Sequence, residues 1–445
     1  MRTLRLFRFL SPGRPDGRGR SRSVIDRLLV IALAILSLWS CGVVQAEEWD
    51  LGRVSGYGLE HNPKLVAAKQ AVQAARARID ENLADYYPAL NFQTDYSRLG
   101  GYSSSGSSAS GGDRNLYSAS LGLSHNIYDF GRTRYRVRTS RYDVETLQWD
   151  LKDVRLGVVD DIAEAYYGVL LADRSVKLRQ EDLARTREHL TQAQTFYKVG
   201  TKARIDVIQA QVEAIKAEKA LLQAQSNART SRVLLQKTMG LETAPSFSLK
   251  DDLDTGRVDW RLEDLKKEAL KHNPLLNHLR AVVNSAESQE MVARSDFWPQ
   301  LSGTAGYGWT GSESPSDPAW NVGVQLTVPL FSGFQTRARV SETRAALAQS
   351  KANVEVQRLE VLNDIETQFA NLLLGEKQME VAGEALGSAR ENFELSTGRY
   401  KAGVGTILEV TDARVSLAQA ETDCVQAAYD YKIARFKLER TVGRE

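Results

Sequence analysis

Hydrophobic and polar positions alternate along this chain in two periods, and the period changes at fixed places. Leu90, Phe92, Thr94 and Tyr96 interleave with Asn91, Gln93, Asp95 and Ser97, and Tyr117, Ala119, Leu121 and Leu123 with Ser118, Ser120, Gly122 and Ser124. The pattern returns with Leu301, Ala305, Tyr307 and Trp309 against Ser302, Thr304, Gly306 and Gly308. It is clearest in Trp320, Val322, Val324, Leu326, Val328 and Leu330 against Asn321, Gly323, Gln325 and Thr327. Period two over runs of about 9–11 residues predicts four strands, each with one apolar and one polar face. The connections within each pair, residues 103–113 and 311–318, are polar and read as solvated loops.

After each strand pair the period lengthens. Residues 131–199 and 333–402 contain no proline and read as two very long helices. In the first, Leu147, Leu151, Val154, Val158, Ile162, Ala165 and Val169 step by three and four, a narrow apolar seam with charged flanks. Turns at Val199-Gly200-Thr201 and Ala402-Gly403-Val404 then reverse the chain into a second helix. In the first copy that helix carries Ile205, Ile208, Val212, Ile215 and Leu222 on one face. Each half therefore ends in a long antiparallel helical hairpin, with Gly200 and Gly403 at the turns.

The halves repeat one another. His61-Asn62-Pro63 returns as His272-Asn273-Pro274, and Asp85-Tyr86-Tyr87-Pro88 as Asp296-Phe297-Trp298-Pro299. Tyr197-Lys198-Val199-Gly200 returns as Tyr400-Lys401-Ala402-Gly403, and Gly240 as Gly443. Units of about 200 residues are too long for a solenoid, so the pattern reads as a tandem duplication, residues 47–250 and 251–445. A helix is expected to begin at each His-Asn-Pro triplet, with Asn as cap and Pro in the first turn. The two histidines sit at helix starts, and no HExxH or Cys/His cluster accompanies them, so no metal site is assigned. Gly306 to Gly311 spells GxGxxG, yet Ser312 to Pro315 follows instead of a helix, which excludes a dinucleotide site.

Charge and composition narrow the setting. The 445 residues carry a formal charge of +2. Residues 1–46 hold eight arginines against Asp16 and Asp26, a net of +6, which leaves −4 for the rest. No basic surface for nucleic acid remains. Arg27, the apolar run 28–39 and the small residues ending at Ala46 fit a secretory signal, residues 1–46. Cleavage after Ala46 is preferred; lipidation at Cys41 is the alternative, although Trp39 is bulky for it. Cleavage leaves only Cys424, hence no disulfide within the chain. Beyond residue 46 no apolar run approaches the ~18 residues of a spanning helix.

Strands with one apolar and one wet face suit a membrane barrel, with aromatics such as Tyr96, Tyr117, Trp309 and Trp320 near its rim. A bilayer tolerates no open sheet edge, and four strands cannot close. Several chains must then share one barrel, and of two or three chains only three leave an appreciable pore. The long hairpins likewise lack a sufficient local core and must pack side by side.

Leader, duplicated halves, two strands per half and a long helix before a Tyr-Lys-x-Gly turn together resemble the TolC family of outer-membrane efflux and secretion channels. The resemblance covers residues 47–445. It implies an α+β membrane protein: a homotrimer with a twelve-stranded transmembrane β-barrel, four strands per chain, continuing into a long α-helical coiled-coil barrel in the periplasm. An equatorial region would include residues 241–262 and the chain ends. The implied function is the passive exit duct of a tripartite efflux or type I secretion system. Its partners would be a periplasmic adaptor, an inner-membrane transporter and outer-membrane lipid.

By the same resemblance the periplasmic end closes at the second hairpin. Glu409 and Asp412 match two acidic positions lining the constriction, Tyr400 a gate-locking tyrosine, and Asp206 a partner in the network between hairpins. Gly405 stands where a basic residue is expected, and Lys202 or Arg204 could replace it. From spacing alone, Glu409 and Asp412 share one helix face near an N-terminus, where negative charge suits the helix dipole. In a trimer they would form stacked acidic rings favouring cations.

Two other readings compete. A periplasmic coiled-coil adaptor would carry one hairpin between small β domains, which fits neither the duplication nor the membrane-length strands. An enzyme is disfavoured by the lack of any Ser/His/Asp arrangement, phosphate loop or metal-ligand spacing. No cofactor is expected.

Overall fold

The computed structural model describes residues 48–100, 114–242, 248–253, 258–312, 314 and 316–444. The leader, with Ala46 and Cys41, and the loop 103–113 lie outside the described residues, as do parts of 241–262. Met1–Glu48 with Ser246–Ser248 form one compact unit, of which only Glu48 and Ser248 are described. Every element below belongs to the other, Trp49–Pro245 with Leu249–Glu445.

In chain order, α1 is Leu51–His61, α2 Pro63–Leu83, β1 Ala89–Leu99, β2 Arg114–Tyr128, α3 Arg132–Lys198 and α4 Arg204–Met239. Then come α5 Leu262–His272, α6 Pro274–Ser295, β3 Gln300–Gly311, β4 Asp317–Thr327, α7 Gln335–Lys401 and α8 Ile407–Val442. The 67-residue helices α3 and α7 are each about 100 Å long at 1.5 Å per residue.

Helices do begin at the His-Asn-Pro triplets, but the sequence reading missed that another helix ends there. Pro63 opens α2 and Pro274 opens α6, while α1 and α5 stop at His61 and His272. The asparagine serves both sides. Asn62 Oδ1 accepts from the Lys64 N–H at 2.9 Å, and its Nδ2 donates to the Thr238 carbonyl at 2.8 Å. Asn273 accepts from Leu276 N–H at 3.0 Å and donates to the Thr441 carbonyl at 2.9 Å. Gly240 and Gly443, at φ +77° and +89°, end α4 and α8 against these triplets. A Cβ there would lie 2.8 Å from the His61 carbonyl oxygen and 2.7 Å from that of His272. Only glycine allows the helix ends to meet so closely.

The strands form one antiparallel sheet in the order β1-β2-β3-β4. Register sets Leu90, Leu123, Ala305 and Val322 in one row, and Phe92, Leu121, Tyr307 and Trp320 in the next. The intervening rows are polar or small: Asn91, Gly122, Gly306 and Asn321, then Gln93, Ser120, Gly308 and Ala319. Among the described residues no helix covers the apolar face, so Phe92, Val322 and Trp320 are exposed, Trp320 to 76%. Edges β1 and β4 pair with nothing among the described residues. Two strand limits differ from the sequence reading. β4 stops at Thr327, because Pro329 has no N–H for the ladder. The β3–β4 loop is shorter than 311–318, since Gly311, Asp317 and Pro318 are already paired.

Helix α3 is central to the helical part, packing on α4 and α8 at one end and on α2 and α6 at the other; α7 packs on α8 and α6. Its seam is not narrow throughout. Besides Val158, Ile162, Ala165 and Val169, the stretch buries Leu156, Ala163, Tyr166, Tyr167 and Leu170. The segment 250–253 straps across it there. Tyr166 donates to the Lys250 carbonyl at 2.6 Å, Tyr167 to Asp252 at 3.2 Å, and Arg174 to Asp251 at 2.8 Å. The apolar face read on α4 is also not the packed one. Ala210, Ala214, Ala217, Ala224 and Ala228 are buried, their small side chains suiting close helix approach, while Ile205, Ile208, Val212, Ile215 and Leu222 face outward.

Among the described residues no helix is long and apolar enough to cross a membrane.

Candidate functional site

The two hairpin turns lie side by side, and each is built by hydrogen bonds that a short sequence dictates. Gly200 and Gly403, at φ +77° and +81°, take the left-handed position that ends α3 and α7. Thr201 N–H donates to the Phe196 carbonyl at 3.0 Å, and the Val404 and Gly405 N–H groups share the Arg399 carbonyl at 3.1 and 3.0 Å. Thr406 caps α8, accepting from the Glu409 N–H at 3.2 Å, while Glu409 Oε1 accepts from the Thr406 hydroxyl at 3.3 Å.

Tyr400 is the packed centre of this end. It is 0% exposed and lies against Phe196, Phe393, Ile407 and Val410, with the Phe196 ring edge-on at 5.9 Å. Its hydroxyl has no hydrogen-bond partner among the described residues. Burial first, and the nearby Asp206 carboxylate second, push its pKa above the ordinary value of 10.0. Lys202 of the first turn reaches across to the second hairpin. Its ammonium sits 4.8 Å from the centre of the Tyr400 ring and donates to the Gly405 carbonyl at 3.3 Å. Arg204 is exposed and forms no ion pair among the described residues. Of the two candidates for the absent basic residue, Lys202 has the geometry. Gly405 itself has little room for a side chain, since a Cβ would lie 3.0 Å from Tyr400 N and 3.1 Å from Arg399 Cβ.

The structure thus brings Tyr400, Asp206 and Lys202 together. Glu409 and Asp412 lie exposed on α8, three residues apart. Glu409 has Arg399 Nε at 3.5 Å, whereas Asp412 forms no ion pair among the described residues. No group of three or more His, Cys, Asp or Glu able to hold a metal occurs among those residues.

Sequence reasoning missed a buried ionic cluster farther along the hairpins. Arg414 on α8 donates to Asp182 on α3 at 2.8 and 3.0 Å and to Glu213 on α4 at 2.7 Å. Arg185 on α3 donates to both oxygens of Glu421 on α8, at 3.2 and 2.8 Å. The available signal was an arginine inside the apolar seam Val410, Ala413, Leu417, Ala418. It missed a second aromatic belt as well. Tyr86, Tyr87, Tyr128, Phe130, Phe297 and Trp298 are exposed where sheet meets helices, with Phe130 and Phe334 at positive φ of 53° and 66°.

Comparison with known proteins gives a consistent answer. The chain is 25% identical over 425 residues to the alkaline protease secretion protein AprF of Pseudomonas aeruginosa, covering 90% of this chain and 86% of that one. It is 23% identical to the outer membrane protein TolC of Vibrio cholerae, covering 90% and 93%. Its fold matches the Vibrio cholerae outer membrane protein VceC with a TM-score of 0.74 at 18% identity, over 88% of this chain and 96% of that one. It also matches the open-state Neisseria gonorrhoeae outer membrane channel MtrE, with a TM-score of 0.75 at 18% identity over 88% and 89%. These likenesses set aside the adaptor and enzyme readings. The profile of the outer membrane efflux proteins matches residues 57–241 and 265–444, and the chain belongs to that family of bacterial outer-membrane channels.

Proposed function

We propose that three copies of this outer-membrane channel assemble into one twelve-stranded barrel whose lumen runs on into a periplasmic tunnel of helical hairpins. The observation that carries this reading is the open 4-stranded sheet with an exposed apolar face and two unpaired edges. In lipid every unpaired backbone group costs several kcal/mol, so the edges must be joined to those of sister chains. The helical part is open in the same way. The outward residues Ile208 and Ile215 of α4, and Val356, Leu359 and Val381 of α7, are left exposed by the described residues. Contact of α4 in one copy with α7 of the next closes the tunnel as β1 with β4 closes the barrel.

The halves, residues 47–250 and 251–445, act as two repeats, so three chains supply six hairpins. The second turn of each chain forms the periplasmic aperture. Tyr400, held by Lys202 and flanked by Asp206, keeps it shut, and Glu409 and Asp412 form two acidic rings that favour cations. Residues 1–46 direct export and are removed in the mature protein. The duct is passive: a periplasmic adaptor joins it to an inner-membrane transporter that supplies the energy. The secretion and efflux roles in the names of AprF and of the family are consistent with such partners.

Purification in detergent tests the assembly. The expected result is a particle of three chains that migrates differently on gels before and after boiling. A monodisperse monomer, soluble without detergent, refutes it.

A further inference from the structure

We propose that Arg414, Asp182 and Glu213 form a second latch, inside the hairpins, that must part before the periplasmic aperture widens. The inference rests on the aperture reading above but concerns residues away from the turns. Arg414 lies seven residues into α8, about two helical turns from its start. It is 7% exposed and Asp182 4%. The guanidinium fork spans three helices, both Asp182 oxygens on one arm and Glu213 Oε2 on the other. Lys216 supplies Glu213 with a second cation at 2.8 Å. Beside it Arg185 grips Glu421, and Arg179 Nη2 donates to the Thr422 hydroxyl at 3.1 Å. Three arginines therefore cross between α3 and α8, joining the first hairpin to the second.

Charge here does something apolar packing would not. A buried ion pair is no more stable than a hydrophobic contact of equal volume, because desolvation offsets attraction. It does separate cleanly, since water rehydrates both partners once the helices part. The first hairpin, by contrast, buries side chains such as Ala210, Ala214 and Ala217 that gain nothing from wetting. The ionic seam is the plane along which the second hairpin can leave the first. Its two arrangements, closed with the fork engaged and open with charges hydrated, are those of a two-state element.

Single-channel recording on the purified full-length protein in planar bilayers tests this. Arg414→Leu and Asp182→Asn should each raise the fraction of time at high conductance by at least about tenfold, the loss of one buried partner being worth that or more. Arg414→Lys, which keeps the charge but not the fork, should fall between these variants and the unmodified channel. Assembly is followed in parallel by gel migration with and without heating. Variants that assemble, melt earlier and conduct as the unmodified channel does would make the cluster a static staple and overturn the latch. Should Arg414→Leu fail to assemble, Arg414→Lys decides: an intermediate open fraction supports the latch and an unchanged one overturns it. Lys202→Gln separates the two readings. If it opens the channel and the Arg414 variants do not, only the latch fails; if neither set changes conductance, the aperture reading fails with it.

Discussion

Tyr400 has a hydroxyl that it does not use. The oxygen is buried without a partner, while the ring holds Phe196 on one side and the Lys202 ammonium above it. The proposed lock would therefore work through the ring. Tyr400→Phe should keep the channel as closed as the unmodified protein, because it removes a buried polar atom that gains nothing. Tyr400→Ala and Lys202→Gln should both raise conductance in planar bilayers. Tyr400 has a pKa raised in the closed pocket, so the neutral form is favoured there, and closure loses stability as pH rises past the ordinary 10.0. Conductance should climb above about pH 10, and less steeply in Tyr400→Phe. The residues of this proposed lock were readable only through the family resemblance, since spacing by itself said no more of Glu409 and Asp412 than that they share a helix face near its start. Arg414 was not, because its partner Asp182 lies 232 residues away, and no local pattern reports what a distant helix offers a buried cation.

At the scale of elements, the junctions at Asn62 and Asn273 show why two short motifs recur together. One asparagine caps the helix it starts and ties down the end of another, and a glycine at that other end lets the backbones meet. Asn62→Ala should cost about 1–2 kcal/mol, since a cap and a part-buried hydrogen bond go together. Gly240→Ala should cost more than ~1 kcal/mol, as it adds left-handed strain to a carbonyl contact of 2.8 Å. Both should lower the temperature at which assembled protein dissociates, and a Gly240→Ala protein as heat-resistant as the unmodified one would remove the contact from the account. The sequence showed the long helices, their glycine turns and the alternation of all four strands. It missed α1 and α5 because a proline that opens one helix also hides the helix ending just before it. It ran β4 on to Leu330 because alternation continues through Pro329, although the ladder cannot.

The whole molecule has its unsatisfied surfaces at matching places. Sheet edges β1 and β4 are unpaired among the described residues, and α4 and α7 turn isoleucine, valine and leucine outward. A self-sufficient protomer would expose neither. If α4 of one copy meets α7 of the next, Ile208→Asp with Ile215→Asp places two charges in an apolar contact while leaving the alanine face against α3 intact. Such a protein should keep its helical circular dichroism yet yield few trimers in detergent, and normal trimer yield would move the contact elsewhere. Trimer closure also decides what the exposed acids do. On one chain Glu409 and Asp412 are ordinary helix-start carboxylates, one of them near Arg399. In the proposed trimer, threefold repetition would bring like charges together around a narrow opening, where only mobile cations can compensate them. Glu409→Ala with Asp412→Ala should therefore shift the reversal potential in a salt gradient toward zero while leaving the trimer intact. An unshifted potential would mean that these carboxylates serve only the helix they begin.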